Sequence, residues 1–385
     1  MKMPGEPMAR NNIGFLRLVF ASMVIVGHAI PMISGSEARD PIFLLFGSGS
    51  ISKTAVDGFF LLSGYLITKS MISTDAFIPF IERRLLRIYP AFILACLLMF
   101  YVMVPLVGGR MLPVLPLIPH ILTLGPPTFL PDVFQTLPYF RTINGSMWTI
   151  AYEFRCYLFV ALLWTTGLLA RRGAVLGLTA VGVLGSIAAA FPPVRAHLDA
   201  LENVHLVKLA LGHPFESLRL TVTFLLGTCF CLYSREWLPR LSARSALIAS
   251  VAALALMFEP HMFQMALAGF GGWALFWLAF KADLGRLRAI NDGWDISYGV
   301  YLYGWPLANM VRWAWPGISI GMLAAVTLPL SFAMGAASWW GLERWAKDLR
   351  RSKSRRSVAA VAPPADPFGQ PAPAIEAMPG TLTQS

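Results

Sequence analysis

Ionisable side chains lie inside segments of this sequence that are otherwise apolar enough to cross a bilayer. The stretch NNIGFLRLVFASMVIVGHAI at 11–30 holds Arg17 and His28, which an α-helix would separate by about 16 Å. Asp57 and Glu153 stand near the starts of two other apolar segments. Charged groups in hydrocarbon are unfavourable and usually serve function, so these four residues are the first candidates for chemistry.

His28 is the candidate catalytic base. A neutral imidazole can take the proton of a hydroxyl group near neutral pH, and it can also carry an acyl group as a covalent intermediate. A carboxylate beside the ring would hold its tautomer and stabilise the imidazolium, and Asp57 and Glu153 are the candidates for that role. The alternative for each residue is a hydrogen-bonded packing role inside a helix bundle.

The sequence AVDGFFLLSGYLI at 55–67 carries further polar groups. Ser63 and Tyr65 offer hydroxyl groups that could contact a substrate. Gly58 and Gly64 would let a ligand or another backbone approach closely, but the same glycines are typical of two tightly packed helices. Both interpretations can hold together.

The sequence FIERRLLRIYP at 80–90 supplies a cluster of cations. Arg83, Arg84 and Arg87 are predicted to share one sector of a helix, where they could clamp an anionic ligand. With Arg17 they could bind the head of a cofactor whose slender arm reaches the candidate base, since about 16 Å is of the order of an extended pantetheine arm. The alternative is that these arginines only set the orientation of the protein in the membrane.

Composition indicates a membrane protein. Of 385 residues, 56% are hydrophobic and 13% are charged, and the mean hydropathy is +0.62, which excludes a water-soluble surface of normal polarity. The net charge of +11 does not indicate a nucleic-acid partner, because the basic residues cluster in short loops between apolar segments. The four cysteines show no metal or redox spacing, so no metal site and no disulfide framework is predicted.

Ten apolar segments are long enough to cross the hydrocarbon core as helices, which predicts an all-α, polytopic membrane helix bundle. The predicted spans are 13–33, 54–72, 88–107, 147–169, 173–191, 217–234, 244–259, 262–281, 294–313 and 319–341. The apolar piece 111–124 is not counted, because its prolines would leave backbone groups unpaired in lipid. It is predicted to be interfacial or re-entrant.

The distribution of lysine and arginine predicts the orientation of the bundle. With both termini cytoplasmic, basic residues on the inner side outnumber those in the outer loops by roughly three to one, as the positive-inside rule requires. On this topology His28, Asp57 and Glu153 are expected to converge in the outer half of the membrane. The arginines gather near the inner face.

Three regions are predicted along the chain. Residues 1–12 form a cytoplasmic N-terminus, 13–345 the ten-helix membrane domain, and 346–385 a cytoplasmic tail. The tail contains the basic sequence RSKSRR followed by a segment rich in proline and alanine. It is predicted to be disordered, with its basic part resting on anionic lipid.

Six motifs in order resemble acyltransferase family 3, whose members are integral-membrane enzymes that modify extracytoplasmic sugars. The match spans roughly residues 11–345 and begins with Arg17 and His28 in the first span. The other motifs are DGFFLLSGYLI, RRLLRIYP, GSMWTIAYE, DISYGVYLYGWP and GLERW. Two departures are Gly304, where many members have histidine, and the absence of a proline shortly after Glu343.

The resemblance implies an acyl-CoA-dependent O-acyltransferase, most simply an O-acetyltransferase using acetyl-CoA. The implied acceptor is a hydroxyl of an extracytoplasmic or lipid-linked sugar, such as an exopolysaccharide or the O-antigen of lipopolysaccharide. Residues of the matching motifs are expected to contact the substrates, and the predicted substrate-binding residues are Ser63, Tyr65, Trp148, Tyr301 and Trp305.

Two other functions stay open. A transporter or flippase for lipid-linked sugars would also use buried ionisable residues, but no internal hydropathy repeat is found. A receptor or assembly protein without chemistry would leave the titratable groups without a reason. The expected location is a bacterial inner membrane, with lipid and a glycan acceptor as partners. Glycan-assembly proteins could bind as well, and the sequence does not indicate an oligomeric state.

Overall fold

The structure is a computed structural model that describes residues 11–125, 130, 132–138, 142–291 and 294–344, apart from the side chains at 209 and 343. Most of the predicted N-terminal region 1–12 and the whole predicted tail 346–385 lie outside the described residues.

The described chain folds almost entirely into helices. The α-helices are α1 Ile13–Ser34, α2 Pro41–Phe46, α3 Ile51–Thr74, α4 Phe77–Leu98, α5 Val104–Leu106, α6 Val114–Leu122, α7 Trp148–Thr165, α8 Arg172–Ala189, α9 Pro192–Leu201, α10 His205–Leu211, α11 Pro214–Leu232, α12 Ser234–Trp237, α13 Ala243–Met257, α14 Phe263–Ala266, α15 Gly272–Phe280, α16 Ser297–Ala314 and α17 Ile320–Ser338. π-Helical turns at Met99–Met103, Leu267–Gly271 and Trp339–Glu343 continue α4, join α14 to α15, and follow α17.

The membrane-spanning character of the bundle is confirmed. Among the described residues, seven helical stretches are long and apolar enough to cross a membrane, and a bent pair, Ser234–Arg240 with Ala243–Met257, could form an eighth. The seven are Ile13–Ser34, Ile51–Thr74, Phe77–Leu106, Arg172–Ala189, Pro214–Leu232, Phe263–Phe280 and Ile320–Leu342. The predicted spans at 147–169 and 294–313 coincide with α7 and α16, which do not pass the same test of length and apolarity. Ten spans and cytoplasmic termini therefore stay predictions.

One helix boundary differs from what the sequence suggested, and one apolar segment forms a helix shorter than a membrane span requires. The predicted third span begins at Phe77, so the arginine motif at 80–90 is part of α4 and not of a loop before it. The apolar piece 111–124 contains only the nine-residue helix α6, which is too short to cross the hydrocarbon core.

Glycines set the close helix contacts of the core. A Cβ on Gly58 of α3 would overlap the ring of Phe20 of α1, and one on Gly64 would overlap the backbone of Phe224 in α11. Small residues let helices approach in this way without a hydrophobic driving force between them. The packing interpretation of Gly58 and Gly64 is therefore the one that the structure supports.

The relative directions of α1, α3 and α16 follow from the residue pairs that are in contact between them. In α1 and α3, Gly27 lies against Ser52 and Phe20 against Gly58, so these two helices run antiparallel. In α16, Ser297 lies beside Arg17 and Gly304 beside Ile25, so α16 runs parallel to α1. The Ile25 side chain fills the space that a side chain at position 304 would need.

Candidate active site

A cavity of about 280 Å³ lies between α1, α3, α4, α7 and the start of α16. The ionisable and hydroxyl side chains in its lining are Arg17, Ser63, Arg84, Arg87, Glu153, Tyr157, Asp295 and Tyr298. Three of the four predicted donor-binding arginines therefore meet in one cavity.

Asp295 joins the arginines of two helices. Its Oδ2 lies 2.6 Å from Nη2 of Arg87 and 3.5 Å from Nη2 of Arg17. The three side chains are between 20% and 27% exposed, so water and solutes can reach the cluster. We call Arg17, Asp295 and Arg87 the open ion cluster. Sequence reasoning quoted the motif DISYGVYLYGWP but assigned no role to its aspartate.

The local fold before α16 explains the placement of Asp295. Asn291 adopts a left-handed backbone conformation with φ 61°, which asparagine tolerates better than most residues. Its amide donates to the Gly14 carbonyl of α1 at 2.8 Å and to Asp295 Oδ1 at 3.0 Å. Its side-chain oxygen accepts from the Ile296 backbone at 2.7 Å. This turn ties the start of α16 to the start of α1.

The other two predicted arginines differ from one another. Arg84 lines the cavity, donates to Ser70 Oγ at 3.2 Å, and stacks over the Tyr157 ring at 5.9 Å from the centroid. Arg83 does not line this cavity, and its Nε donates to the Pro79 carbonyl at 3.2 Å. Adjacent residues on a helix point in directions about 100° apart, which separates Arg83 from Arg84.

Glu153 lies in the same cavity as the arginines. Its Oε1 accepts hydrogen bonds from Ser63 Oγ at 2.9 Å and from the Tyr157 hydroxyl at 2.6 Å. These two hydroxyl groups are the partners that a carboxylate inside the bundle needs. The expected proximity of Glu153 to His28 is not observed. Glu153 is bonded to Ser63, which lies in the same cavity as Arg17 near the start of α1, whereas His28 is nearer the end of that helix.

His28 lies toward the other end of α1. Its half-buried ring packs edge-on against Trp305 of α16, with centroids 4.7 Å apart and an interplanar angle of 73°. Within the described ranges no hydrogen bond to the imidazole is recorded. The ring is thus oriented by an aromatic contact rather than by a carboxylate.

Asp57 engages a cation that sequence reasoning had not paired with it. Its Oδ1 accepts a short hydrogen bond from Nη1 of Arg219 on α11, and Arg219 Nε donates to Glu216 at 2.7 Å. The Asp57 and Arg219 side chains are only 3% and 2% exposed. We call Asp57, Arg219 and Glu216 the closed ion cluster. An arginine within the predicted span 217–234 was the signal that could have revealed this partner.

The structure therefore does not bring His28, Asp57 and Glu153 together. The antiparallel register of α1 and α3 places Asp57 opposite the Phe20 region, roughly 10 Å along the helix axis from His28. Depths inferred from the ends of the two helices are misleading here, because α1 and α3 are staggered relative to each other and His28 lies level with the start of α3.

The predicted substrate-binding residues fall into two groups. Tyr301 and Trp305 belong to an aromatic row between the cavity and His28: Arg17 lies 5.9 Å from the Phe59 ring, Phe59 lies 6.1 Å from Tyr301, and Trp305 contacts His28. The Tyr301 hydroxyl is bonded to Thr149 and to the Ser146 carbonyl, both at 2.5 Å.

The others lie outside this row. Tyr65 is buried against Phe276 and Phe280 at 5.3 and 5.2 Å. Trp148 packs edge-on against Tyr152 at 5.3 Å. Ser63 belongs to the cavity described above.

Comparison with known proteins agrees with the motifs. The family model described as an acyltransferase domain matches residues 10–343. The O-acetyl transferase of Shigella phage Sf6 is 27% identical over 311 residues, which cover 77% of this chain and 84% of that protein. No solved structure matches the chain. A family match over nearly the whole sequence, together with a bundle of apolar helices, shows that this protein belongs to acyltransferase family 3 and is a multi-pass membrane acyltransferase.

Proposed function

We propose that the protein moves an acyl group, most simply acetyl, from cytoplasmic acyl-CoA to a hydroxyl of an extracytoplasmic or lipid-linked sugar. The observation that carries this proposal is the cavity in which Arg17, Arg84 and Arg87 come together from α1 and α4. The name of the phage relative, an O-acetyl transferase, supports acetyl as the group transferred.

The donor binds in this cavity. Guanidinium groups are suited to phosphate because they present several N–H donors in a plane and can bind oxygen pairs. The phosphates of CoA would contact the three arginines. Glu153, oriented by Ser63 and Tyr157, is placed to accept a hydrogen bond from an amide N–H of the pantetheine arm. We therefore assign Glu153 to donor binding.

The acyl end of the donor is proposed to reach His28 along the aromatic row. Arg17 and His28 are separated by about 16 Å of helix, and Phe59 and the buried side chains of Tyr301 and Trp305 lie between them. An extended pantetheine arm has the reach for this interval.

His28 performs the proton transfers. Its neutral imidazole removes the proton from the acceptor hydroxyl, and the oxygen attacks the thioester carbonyl carbon. When the tetrahedral intermediate collapses, the C–S bond breaks and the imidazolium returns the proton to the CoA sulfur. A relay is the second route: the imidazole first takes the acyl group from sulfur and then delivers it to the hydroxyl.

Transfer from labelled acetyl-CoA tests the proposal. Membranes that contain the protein are expected to release free CoA and to accumulate an equal amount of labelled glycan, whereas a flippase would release no CoA. Loss of a general base lowers rate by about 10²–10⁴-fold, so His28→Ala should show that loss at unchanged membrane content. His197→Ala on the exposed face of α9 is the matched control. Undiminished transfer by His28→Ala would remove His28 from the mechanism.

A further inference from the structure

We propose that Asp295 is a positioning residue that fixes Arg17 and Arg87 for the donor phosphates. This inference rests on the proposed function, because it concerns the same cavity. Asp295 is a carboxylate in a site whose proposed ligand is also anionic, so it would not contact the phosphates directly.

The contacts of Asp295 make it a fixed counter-ion and not a gate that leaves when the donor arrives. Its Oδ1 accepts from the Ser297 backbone N–H at 3.1 Å, the Ser297 hydroxyl at 2.5 Å and the Asn291 amide at 3.0 Å. Swinging the carboxylate out of the cavity would break all three bonds. Oδ2 alone faces the guanidiniums.

Each guanidinium is held on two sides. Arg87 is bound by Asp295 Oδ2 and lies 5.6 Å from the Tyr298 ring centroid, and Arg17 lies between the same oxygen and the Phe59 ring at 5.9 Å. Two guanidiniums that share one carboxylate oxygen can stay close together, since the carboxylate offsets their mutual repulsion. An arginine has five N–H donors, so its contact with Asp295 does not by itself use up the donors with which Arg17 could bind a phosphate.

The charge of the cavity is also set by its carboxylates. Asp295 and Glu153 face Arg17, Arg84 and Arg87 in its lining. In the absence of the carboxylates, three cations would attract any small anion, whereas oriented N–H groups favour a ligand with phosphates at matching positions. Asp295 would thus contribute affinity for the correct donor by ordering the site before binding.

The test is Asp295→Asn, which can keep the acceptor oxygen for Ser297 and Asn291 but removes the charge. For acetyl-CoA we expect KM to rise about tenfold with kcat nearly unchanged. For S-acetylpantetheine, a thioester without phosphates, we expect both constants to be unchanged. Asp283→Asn is the matched control, because Asp283 is 82% exposed and pairs with Arg288 at 3.4 Å.

A double-mutant cycle separates positioning from general structure. In a background of Arg87→Ala, Asp295→Asn should raise the acetyl-CoA KM by less than it does alone, because part of its effect acts through Arg87. If the Asn variant cannot be recovered folded, Asp295→Glu keeps the charge but shifts it, and the same KM-specific change is expected. An unchanged acetyl-CoA KM, or equal losses with both thioesters, would overturn the inference. If the wild-type protein does not consume acetyl-CoA at all, the proposed function fails instead.

Discussion

Two three-residue ion clusters have different surroundings in this bundle, one with two arginines and one carboxylate and the other with one arginine and two carboxylates. The open ion cluster joins Arg17 and Arg87 through Asp295, with side chains 20–27% exposed at the edge of a cavity. The closed ion cluster joins Asp57 and Glu216 through Arg219, and its central pair is 2–3% exposed. Both place charges between helices that are distant in the sequence. Of the two clusters, only the open one contributes residues to the lining of this cavity within the part of the chain that the structure describes.

We expect this difference to separate the ligand-binding role proposed for the open ion cluster from a folding role of the closed one. A buried ion pair gains little over a well-packed apolar pair, but removal of one partner leaves an unpaired charge in a medium of low dielectric constant. The closed ion cluster therefore fixes how α3 and α11 pair. The open ion cluster is hydrated enough that a single substitution should spare the fold and change ligand affinity.

The largest expected effect is on the closed ion cluster. Arg219→Ala leaves Asp57 buried without its cation, which should lower the free energy of unfolding by about 3–5 kcal/mol. The recovery of monodisperse protein in detergent and its thermal unfolding midpoint would measure this loss. The double variant Asp57→Leu, Arg219→Met removes both charges and should recover most of the stability. A stable Arg219→Ala protein would show that the pair is dispensable.

The next effect concerns the open ion cluster. Arg87→Ala should raise the acetyl-CoA KM by about 10–100-fold, the equivalent of one charged hydrogen-bond group, while the unfolding midpoint stays near that of the wild type. Steady-state kinetics in reconstituted vesicles would measure the first, and thermal unfolding the second. Arg286→Ala, at an exposed arginine of another segment, is the control. A fall in stability without a change in KM would place this cluster with the closed one.

A smaller effect is expected from salt. Raising ionic strength screens partly exposed charges more than buried ones. The acetyl-CoA KM should therefore rise several-fold between about 0.05 and 0.5 M NaCl, with the unfolding midpoint nearly constant. S-acetylpantetheine serves as the phosphate-free comparison. A parallel rise for both thioesters would mean that salt acts on some other step.

The smallest effect is expected at Arg83. It lies outside the cavity lining and donates to the Pro79 carbonyl, so Arg83→Ala should change the acetyl-CoA KM by less than about twofold, because a partly exposed charge outside the site contributes little energy. Kinetics alongside Arg84→Ala would measure the contrast. An equal loss in the two variants would restore Arg83 to the donor site.

Local patterns predicted much of this molecule. Hydropathy and length identified the helices, because each span must bury its own backbone polar groups. Arg17 and the arginine motif were predicted to gather at the same face of the bundle, and Arg17, Arg84 and Arg87 do line one cavity. Each position could be predicted because it depends on spacing along one helix. The pairing of Asp57 with Arg219 was missed because the two residues are 162 positions apart and the relative stagger of helices is set by packing. Asp295 could have been found as an acidic residue at the start of the predicted span 294–313, where an aspartate needs a basic partner from another span.

The most direct test of the proposed donor site is equilibrium binding of labelled CoA to the purified protein in lipid nanodiscs. We expect saturable binding by the wild type, unchanged binding by Arg286→Ala, and binding about 10–100-fold weaker for Arg87→Ala. Absence of saturable CoA binding, or wild-type affinity in Arg87→Ala, would contradict the claim that the arginine cavity is the donor site.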